Sequence, residues 1–343
     1  MNELTVIIPS WNTRELLRRC LASCEPLARA GAQVLVVDDA SDDGSVAAAR
    51  STAPWATVVA SDRRRGFTAA VNRGWQLTER SFVLLLNADA ELMDGCADRL
   101  LKHLRAQPDY AVAAPRHLNP DGSTQRGVMA FPRPMTALCF ATPLERWLPR
   151  GRELRRYFMA DWDQEDSRDV EQPPASALML RRAAVARDEL LDGAMELFFS
   201  DVDLCHRLRQ EGWRLRYLAQ ALVVHERGAS TAQRGDFVVR WHGDRLAYYR
   251  KHFGRAGVVW VKLCTLFAAS DELLNRLWNS RPVLRHRRPA LGSTAPAFVV
   301  APAPPDTAAG AQAQRGQHDQ RGQRGQRESL GPLLRDLFTF LRS

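Results

Sequence analysis

The sequence predicts an α/β fold with a mainly parallel central sheet flanked by helices. Short apolar segments alternate with segments whose apolar residues recur at helical spacing, which is typical of parallel strands joined by right-handed helical crossovers. Residues 82–86 are apolar without interruption, as expected of a strand buried on both faces of such a sheet. Polar residues directly follow several apolar segments, and in open α/β sheets ligands bind beyond the carboxyl ends of the strands.

In the first half, the predicted strands are short runs of apolar, often β-branched residues: residues 4–8, 34–37, 58–60, 82–86 and 110–115. Helices are predicted between them, including one that contains Asn72 and one from about residue 95 to residue 106. The segment Asn-Pro-Asp-Gly-Ser at residues 119–123 predicts a turn, because proline presets the bend and glycine accepts a positive φ.

The second half is less regular. Residues 129–169 contain prolines, tryptophans and scattered charges, and predict an irregular loop or lid. The predicted strands lie at residues 177–180, 215–218 and 221–224. One helix is predicted to start over residues 181–187, and a separate helix, with Asp203 as its N-cap or first-turn acid, is predicted to run to Gln210. Two more, residues 237–253 and 258–278, are separated at Gly254.

The amino-acid composition bears on the cellular compartment of the protein and on its binding partners. The 343 residues carry a formal net charge of +9, which indicates anionic partners such as nucleotide diphosphates, anionic lipid or nucleic acid. The six cysteines show neither metal-finger spacing nor a dense disulfide pattern, which fits a reducing compartment. The N-terminus leads directly into the first strand and does not resemble a signal peptide, and no apolar stretch has the length of a membrane-spanning helix.

Acidic or imidazole side chains follow four separate predicted strands: Asp38, Asp89, Asp201 and His225. Because the carboxyl ends of parallel strands share one edge of a sheet, we expect these groups to converge on one site. The alternative for each acid is a cap or a turn. The pair Asn87 and Asp89 follows the buried strand directly, which predicts a site for a hard cation and a phosphate.

Several segments together resemble the inverting glycosyltransferases of family 2, which have the GT-A fold, and especially their rhamnosyltransferase-like members. The resemblance covers about residues 4–255. It depends on Val-Val-Asp-Asp-Ala-Ser-Asp-Asp-Gly-Ser at residues 36–45, on Leu-Leu-Asn-Ala-Asp at residues 85–89, and on residues 6–12, 66–74, 119–123, 198–205 and His225.

This resemblance implies roles around a nucleotide-sugar donor. Asp38 would contact the pyrimidine, Pro9 and Asn12 would shape the base pocket, and Gly66 would let the backbone approach the nucleotide. Asn72 would be a polar contact there, with a buried, hydrogen-bonded amide as the alternative.

The resemblance also implies a metal and a base. Asp89 would bind Mg²⁺ or Mn²⁺, with Asn87 as a weaker partner and His225 holding metal or diphosphate; the alternative for His225 is a hydrogen-bonded surface histidine. Asp201 would be the general base, although Ser200 stands where many relatives have glutamate. Asp203 is the rival carboxylate, but its place at a helix start predicts capping instead.

The implied domain organisation is a GT-A catalytic domain followed by a helical extension. The boundaries are residues 1–235 for the catalytic domain (nucleotide-binding half about 1–115, acceptor-binding half about 116–235), 236–284 for the helical extension, 285–328 for a disordered low-complexity linker and 329–343 for an amphipathic tail.

The implied activity is an inverting, metal-dependent transfer of rhamnose from dTDP-rhamnose to a glycan or lipid-linked acceptor in cell-surface polysaccharide synthesis. A UDP-sugar donor is the first alternative. A nucleotidyltransferase would carry a glycine-rich phosphate loop where Pro9 to Asn12 stand, and a basic membrane- or nucleic-acid-binding module would depend on the +9 charge. We expect a cytoplasmic protein, peripheral on an anionic membrane surface, with no nucleic-acid partner.

Overall fold

The computed structural model describes residues 1–149, 151–186, 188–226 and 237–279. The predicted disordered linker of residues 285–328 and the predicted amphipathic tail of residues 329–343 lie outside the described residues. Among the residues described, each helix is too short or too polar to cross a lipid bilayer.

The described strands form one mixed sheet in the spatial order β3-β2-β1-β4-β8-β6-β9-β5, with β7 paired to β9. Their bounds are β1 Leu4–Ser10, β2 Gln33–Asp38, β3 Thr57–Ala60, β4 Phe82–Leu86, β5 Ala90–Leu92, β6 Tyr110–Leu118, β7 Arg168–Asp169, β8 Ala177–Arg181 and β9 Arg214–His225.

Most of the long strands run in the same direction. The pairs β1–β2, β1–β4, β2–β3 and β6–β9 are parallel, whereas β8 is antiparallel to both of its neighbours, β4 and β6. It follows that β1, β2, β3, β4, β6 and β9 all end at one edge of the sheet, which we call the carboxyl edge. The start of β8 lies at the same edge, because Ala177 pairs with Leu86.

Helices cover the sheet on both faces. Their bounds are α1 Arg14–Arg29, α2 Ser45–Thr52, α3 Phe67–Gln76, α4 Cys96–Ala106, α5 Pro134–Cys139, α6 Pro143–Trp147, α7 Arg152–Tyr157, α8 Ser200–Gln210 and α9 Phe237–Asn279. The helix α9 is interrupted at Gly254, whose φ of 64° and ψ of −159° are not helical, so the predicted break at this glycine is confirmed.

The core follows from the alternation of side chains along the strands. In β4, Phe82, Leu84 and Leu86 pack into a cluster with α1, α2 and α4, whereas Val83 and Leu85 pack into a second cluster with α3 and α8. The five residues of β4 are therefore all buried, as the uninterrupted apolar run predicted. A third cluster joins α5 and α8 to α9, so the C-terminal helix packs against the rest of the fold.

Three local predictions were wrong, and short strands were missed. The helix predicted from residue 181 is a single 3-10 turn, Arg182–Ala184, and the two strands predicted at 215–218 and 221–224 are one continuous strand, β9. The short strand β5 was not predicted. The region 129–169, predicted to be an irregular loop, contains three short helices, α5 to α7.

Candidate active site

A cleft opens at the carboxyl edge of the sheet. Pro9 and Trp11 at the end of β1 form one wall, and Asn87 and Asp89 after β4 form another. The first turns of α3 and the segment before α8 complete the lining. The guanidinium group of Arg64 lies 3.5 Å from the centroid of the Trp11 ring, so a positive charge stands next to the cleft.

The two aspartates after β2 have different partners. Asp38 is buried and accepts hydrogen bonds from the N–H (2.9 Å) and the hydroxyl (2.5 Å) of Ser41, so its carboxylate closes the following turn. Asp39 is also buried, accepts from the N–H groups of Arg65 (2.7 Å) and Gly66 (2.8 Å), and lines the cleft. The structure thus places Asp39 on the cleft wall, and the sequence analysis did not single out this residue.

Asn12 joins the loops that follow β1 and β2. Its side chain exchanges two hydrogen bonds with Asp42, at 2.8 Å and 3.0 Å, and its N–H donates to the Ser41 hydroxyl at 2.9 Å. Its φ of 50° is left-handed, which asparagine tolerates better than most residues. Asn12 therefore shapes the rim of the cleft through the loops it connects, whereas Pro9 lines the cleft directly.

Gly66 and Asn72 hold α3 in place. Gly66 precedes α3 with a φ of 96° and a ψ of 168°, a conformation that is nearly exclusive to glycine. The side-chain amide of Asn72 is buried and exchanges two hydrogen bonds of 2.8 Å with the backbone of Leu191. This is the buried, paired amide that the sequence analysis left as the alternative for Asn72.

Asp89 and His225 face each other at the carboxyl edge. The Asp89 Oδ1 atom lies 3.4 Å from the His225 Nε2 atom, and the two side chains are only 5% and 13% exposed. Within the described part of the chain, the buried Oδ1 atoms of Asp89 and Asn87 have no hydrogen-bond partner. The other ring nitrogen of His225, Nδ1, lies 2.7 Å from the Oε1 atom of Gln125.

These atoms fit a divalent cation. Buried oxygens without donors are hard ligands, and adjacent ligands of an octahedral Mg²⁺ ion, each about 2.1 Å from it, lie about 3 Å apart. No group of three or more His, Cys, Asp and Glu side chains that could hold a metal ion occurs among the described residues. Asp89, Asn87 and His225 would therefore supply only some of the ligands of an ion. The remaining coordination positions would be open to phosphate oxygens and water.

Asp201 lies in the first turn of α8 and not at the end of a strand, so this part of the predicted arrangement was wrong. Its Oδ1 atom accepts a hydrogen bond of 2.9 Å from the Val202 N–H, and the N–H of Ala175 also donates to this carboxylate. Burial nevertheless raises the pKa of Asp201 above its ordinary value. A carboxylate with a raised pKa is a better proton acceptor than an ordinary one.

The backbone connects the surroundings of Asp201 to the cleft. Ala175, which donates to Asp201, directly precedes Ser176, whose carbonyl oxygen accepts a 2.9 Å hydrogen bond from the Asn87 N–H. The hydroxyl of Ser176 also bonds to His117 Nε2 at 2.8 Å. The segment before β8 thus contacts both Asp201, the general-base candidate, and Asn87 at the wall of the cleft.

Asp203 has a structural role. It is fully buried and accepts hydrogen bonds from Arg207 (2.8 Å), Lys251 (2.9 Å) and His252 (2.9 Å). Burial acts to raise the pKa of Asp203, but the hydrogen bonds from these three cationic or imidazole groups together hold it well below its usual range. Phe199 occupies the N-cap position of α8 and Asp203 lies in the first turn, so the predicted place of Asp203 at the helix start is confirmed. Its carboxylate does not cap the helix but joins α8 to α9.

Two further residues position the segment before α8, which brings Leu197 to the cleft wall. Asp244 of α9 accepts hydrogen bonds of 2.8–3.0 Å from the three N–H groups of residues 196–198. The Thr68 hydroxyl of α3 donates to the Met195 carbonyl at 2.6 Å. Neither role was predicted, because a polar residue inside a helix carries no local signal for the backbone that it binds.

Comparisons with known proteins agree with this architecture. The sequence model of Glycosyl transferase family 2 matches residues 5–184. The chain is similar to the N-acetylglucosaminyl-diphospho-decaprenol L-rhamnosyltransferase of Mycobacterium tuberculosis, with 27% identity over 67% of this chain and 78% of the relative. It is also similar to the pre-mycofactocin glycosyltransferase of the same organism, with 29% identity over 65% of this chain but only 43% of the relative.

Among solved structures, the mannosyltransferase PcManGT from Pyrobaculum calidifontis, in complex with GDP-Man and Mn²⁺, superposes with a TM-score of 0.51. The match has 17% sequence identity and covers 82% of this chain and 76% of that protein, so it bears on the fold alone. Together the comparisons confirm the predicted GT-A fold with its helical C-terminal region, and the resemblance to rhamnosyltransferase-like members.

Proposed function

The chain belongs to glycosyl transferase family 2, and we propose that it transfers a sugar from a nucleoside-diphosphate sugar to a glycan or lipid-linked acceptor with inversion at the anomeric carbon. The observation that carries this proposal is the buried Asp89 Oδ1, which has no donor among the described residues and faces His225 at the wall of the cleft. A buried carboxylate oxygen without a donor is costly unless a cation binds there.

The donor would occupy the cleft with its diphosphate near Asp89. Asp89, Asn87 and His225 would hold Mg²⁺ or Mn²⁺, which when bound neutralises charge on the departing diphosphate. The nucleobase would lie toward Pro9 and Asp39, and we assign the acidic contact to Asp39 instead of Asp38, because Asp39 lines the cleft. The name of the mycobacterial relative supports rhamnose as the sugar. We propose dTDP-rhamnose as the donor, with a UDP-sugar as the second candidate.

Asp201 would act as the general base. In an inverting transfer the acceptor hydroxyl attacks the anomeric carbon from the face opposite the diphosphate, so the new oxygen–carbon bond forms while the bond to the diphosphate oxygen breaks. The hydroxyl proton passes to the Asp201 carboxylate. Burial raises the pKa of this group, which makes it a stronger base than an exposed aspartate.

We also propose a cytoplasmic location at an anionic membrane surface, as an enzyme with a lipid-linked acceptor requires. The support is a row of exposed apolar side chains on one face of α9 after Gly254: Val259, Leu263, Leu266 and Leu274. Trp147 and Leu148, which are more than half exposed, lie next to this row, because the Trp147 ring is 6.3 Å from the ring of Phe267. Apolar residues on one helix face, in a chain of net charge +9, suit binding to anionic lipid.

The membrane proposal predicts that the full chain sediments with vesicles containing anionic lipid and less with neutral vesicles. The double variant Leu263→Glu, Leu274→Glu should stay in the supernatant and keep its activity on a water-soluble acceptor analogue. Equal sedimentation of this variant and of the unmodified protein would contradict the assignment of the surface.

Nucleotide-sugar binding tests the central proposal. Thermal unfolding of the full chain would be measured with dTDP-rhamnose, other dTDP-sugars and UDP-sugars, each with and without Mn²⁺. A ligand at 100 times its dissociation constant adds about 2.7 kcal/mol to the free energy of unfolding, which is a readily measured shift. We expect the largest shift with dTDP-rhamnose plus Mn²⁺, and the absence of a shift with every nucleotide sugar would overturn the proposal.

A further inference from the structure

Gln125 connects the turn of residues 119–123 to His225. Its backbone N–H donates to the carbonyl of His117 at 2.8 Å, which folds the chain back along the end of β6. Its side chain is buried, and the Nε2 atom donates to the Asn119 Oδ1 atom (2.9 Å) and to the backbone carbonyl of His225 (3.0 Å). The Oε1 atom lies 2.7 Å from His225 Nδ1.

Donor and acceptor chemistry sets the direction of each bond. The backbone carbonyl of His225 can only accept, so the amide nitrogen of Gln125 must face it and the amide oxygen must face the ring. This oxygen can also only accept, so the Nδ1 atom of His225 carries the proton. In the neutral imidazole, Nε2 then presents its lone pair, and Nε2 is the atom 3.4 Å from Asp89 Oδ1.

The turn of residues 119–123 independently gives the side-chain amide of Gln125 the same orientation. The Asp121 carboxylate accepts a 2.6 Å hydrogen bond from the Ser123 hydroxyl, so the Ser123 oxygen is left to accept from Asn119 Nδ2 at 2.9 Å. Asn119 must then direct its Oδ1 atom to the amide nitrogen of Gln125. Gly122, with a φ of 84°, lets the turn close. Two separate constraints therefore give Gln125 the same orientation.

We propose that Gln125, oriented by the turn of residues 119–123, is a positioning residue that holds His225 with its proton on Nδ1 and so presents Nε2 to a divalent cation beside Asp89. The inference rests on the proposed metal site and gives a role to the Asn-Pro-Asp-Gly-Ser segment, which the sequence alone identifies only as a turn. Partners of this kind orient metal-binding histidines and fix which nitrogen is protonated.

The tautomer of His225 tests this inference without metal. Imidazole ¹⁵N–¹H correlation spectra distinguish the two neutral tautomers, and would be recorded about two pH units above the ordinary histidine pKa of about 6.5. The signal of His225, one of eight histidines, is assigned by its loss in His225→Gln. We expect an Nδ1–H imidazole in the unmodified protein, a shift to Nε2–H in Gln125→Met, and a partial shift in Asp121→Ala, which changes only an exposed turn residue.

Metal affinity gives the second readout. Free Mn²⁺ would be titrated by electron paramagnetic resonance in the presence of saturating dTDP. Gln125→Met should weaken Mn²⁺ binding by about 10- to 100-fold. Gln172→Met is the matched control, since Gln172 is also a buried glutamine but pairs through its backbone with Met129; it should leave the affinity unchanged.

The outcomes separate the two proposals. An Nε2–H imidazole in the unmodified protein, or an unchanged tautomer and Mn²⁺ affinity in Gln125→Met, would overturn the positioning role of Gln125. Failure of the unmodified protein to bind Mn²⁺ with dTDP would overturn the proposed metal role. In that case the tautomer comparison between the unmodified protein and Gln125→Met still decides whether Gln125 orients His225.

Discussion

Replacing Asp201 by asparagine should remove the proton acceptor and leave the fold intact. Asparagine has the same shape and keeps an oxygen for the Val202 N–H, which donates to the present carboxylate at 2.9 Å. It also removes a charge whose burial is unfavourable, as the raised pKa of Asp201 shows. We therefore expect the free energy of unfolding to change by less than about 1 kcal/mol, in line with an isosteric change that keeps its hydrogen bond.

The effect on turnover should be large. A positioned general base contributes a factor of about 10²–10⁴, which corresponds to about 2.7–5.5 kcal/mol of barrier at about 1.36 kcal/mol per tenfold change in rate. Because the base acts only in the transition state, kcat and kcat/KM should fall by the same factor while donor affinity stays within about twofold. Release of nucleoside diphosphate from the donor, measured with saturating acceptor, follows the reaction.

The pH dependence gives an independent check. The base must be deprotonated to act, so activity should rise with pH through a midpoint above the ordinary aspartate pKa, and Asp201→Asn should lack this acid limb. The control is Asp98→Asn, which alters an exposed first-turn aspartate of α4 and should turn over normally. Turnover of Asp201→Asn within about threefold of the unmodified enzyme, far from the expected factor, would refute the assignment.

Three other substitutions have distinct expected effects. Asp203→Asn should lower the free energy of unfolding by about 3–5 kcal/mol, since it leaves buried cationic partners without their carboxylate. Because the folded-state pKa of Asp203 is lowered, this difference, measured by urea denaturation, should be complete above about pH 4 and should shrink as the pH falls further. Gly66→Ala should cost about 1–3 kcal/mol through backbone strain alone, because the new Cβ would make only an ordinary 3.6 Å contact with the carbonyl of Glu196. Asp89→Asn should abolish the Mn²⁺-dependent part of nucleotide-sugar stabilisation in thermal unfolding, and persistence of that part would exclude Asp89 as a ligand.

The sheet could largely be predicted because its strands are apolar on both faces, and uninterrupted apolar runs are visible in a sequence. β9 was split in two because Gln220 interrupts its apolar pattern. The pairing of β9 with β6 shifts register here, from Pro115 opposite Leu218 to Arg116 opposite Leu222, so the intervening residues bulge out without ending the strand. β5 has three residues and one partner strand, which leaves almost no local signal.

Tertiary contacts explain the helix that was predicted from residue 181 and does not form. The composition of residues 181–187 favours a helix, but the backbone that follows is hydrogen-bonded to other elements of the fold. The Leu190 carbonyl accepts a 2.7 Å hydrogen bond from Arg207, and Leu191 is bound through its N–H and its carbonyl by Asn72. Hydrogen bonds to α3 and α8 thus replace the hydrogen bonds of a helix, and no local sequence pattern predicts them.

The aspartates show why the sequence could indicate a candidate site but could not assign the role of each acid. The motifs contain two pairs of nearby acids, Asp38 with Asp39 and Asp201 with Asp203, and because the residue types within a pair are identical, the sequence does not distinguish their partners. The partners decide between them. Asp203 has three donors that more than offset its burial. Asp38 closes the turn at Ser41, whereas Asp39, whose oxygens accept from the N–H groups of Arg65 and Gly66, is the member of its pair that lines the cleft.

Asp89 and Asp201 differ from Asp203, because the described residues bind their carboxylates less completely. One oxygen of Asp89 meets no donor within the described residues, and the pKa of Asp201 is raised by burial despite two N–H groups that bind it. A carboxylate that is buried without full compensation attracts whatever can supply the missing charge. For Asp89 we propose a cation and for Asp201 a proton, in keeping with the proposed metal-dependent, inverting sugar transfer. Asp89 has a buried oxygen without a donor among the described residues, and the half-buried Asp201 has a raised pKa, and this difference is the physical reason for proposing different roles for them in one reaction.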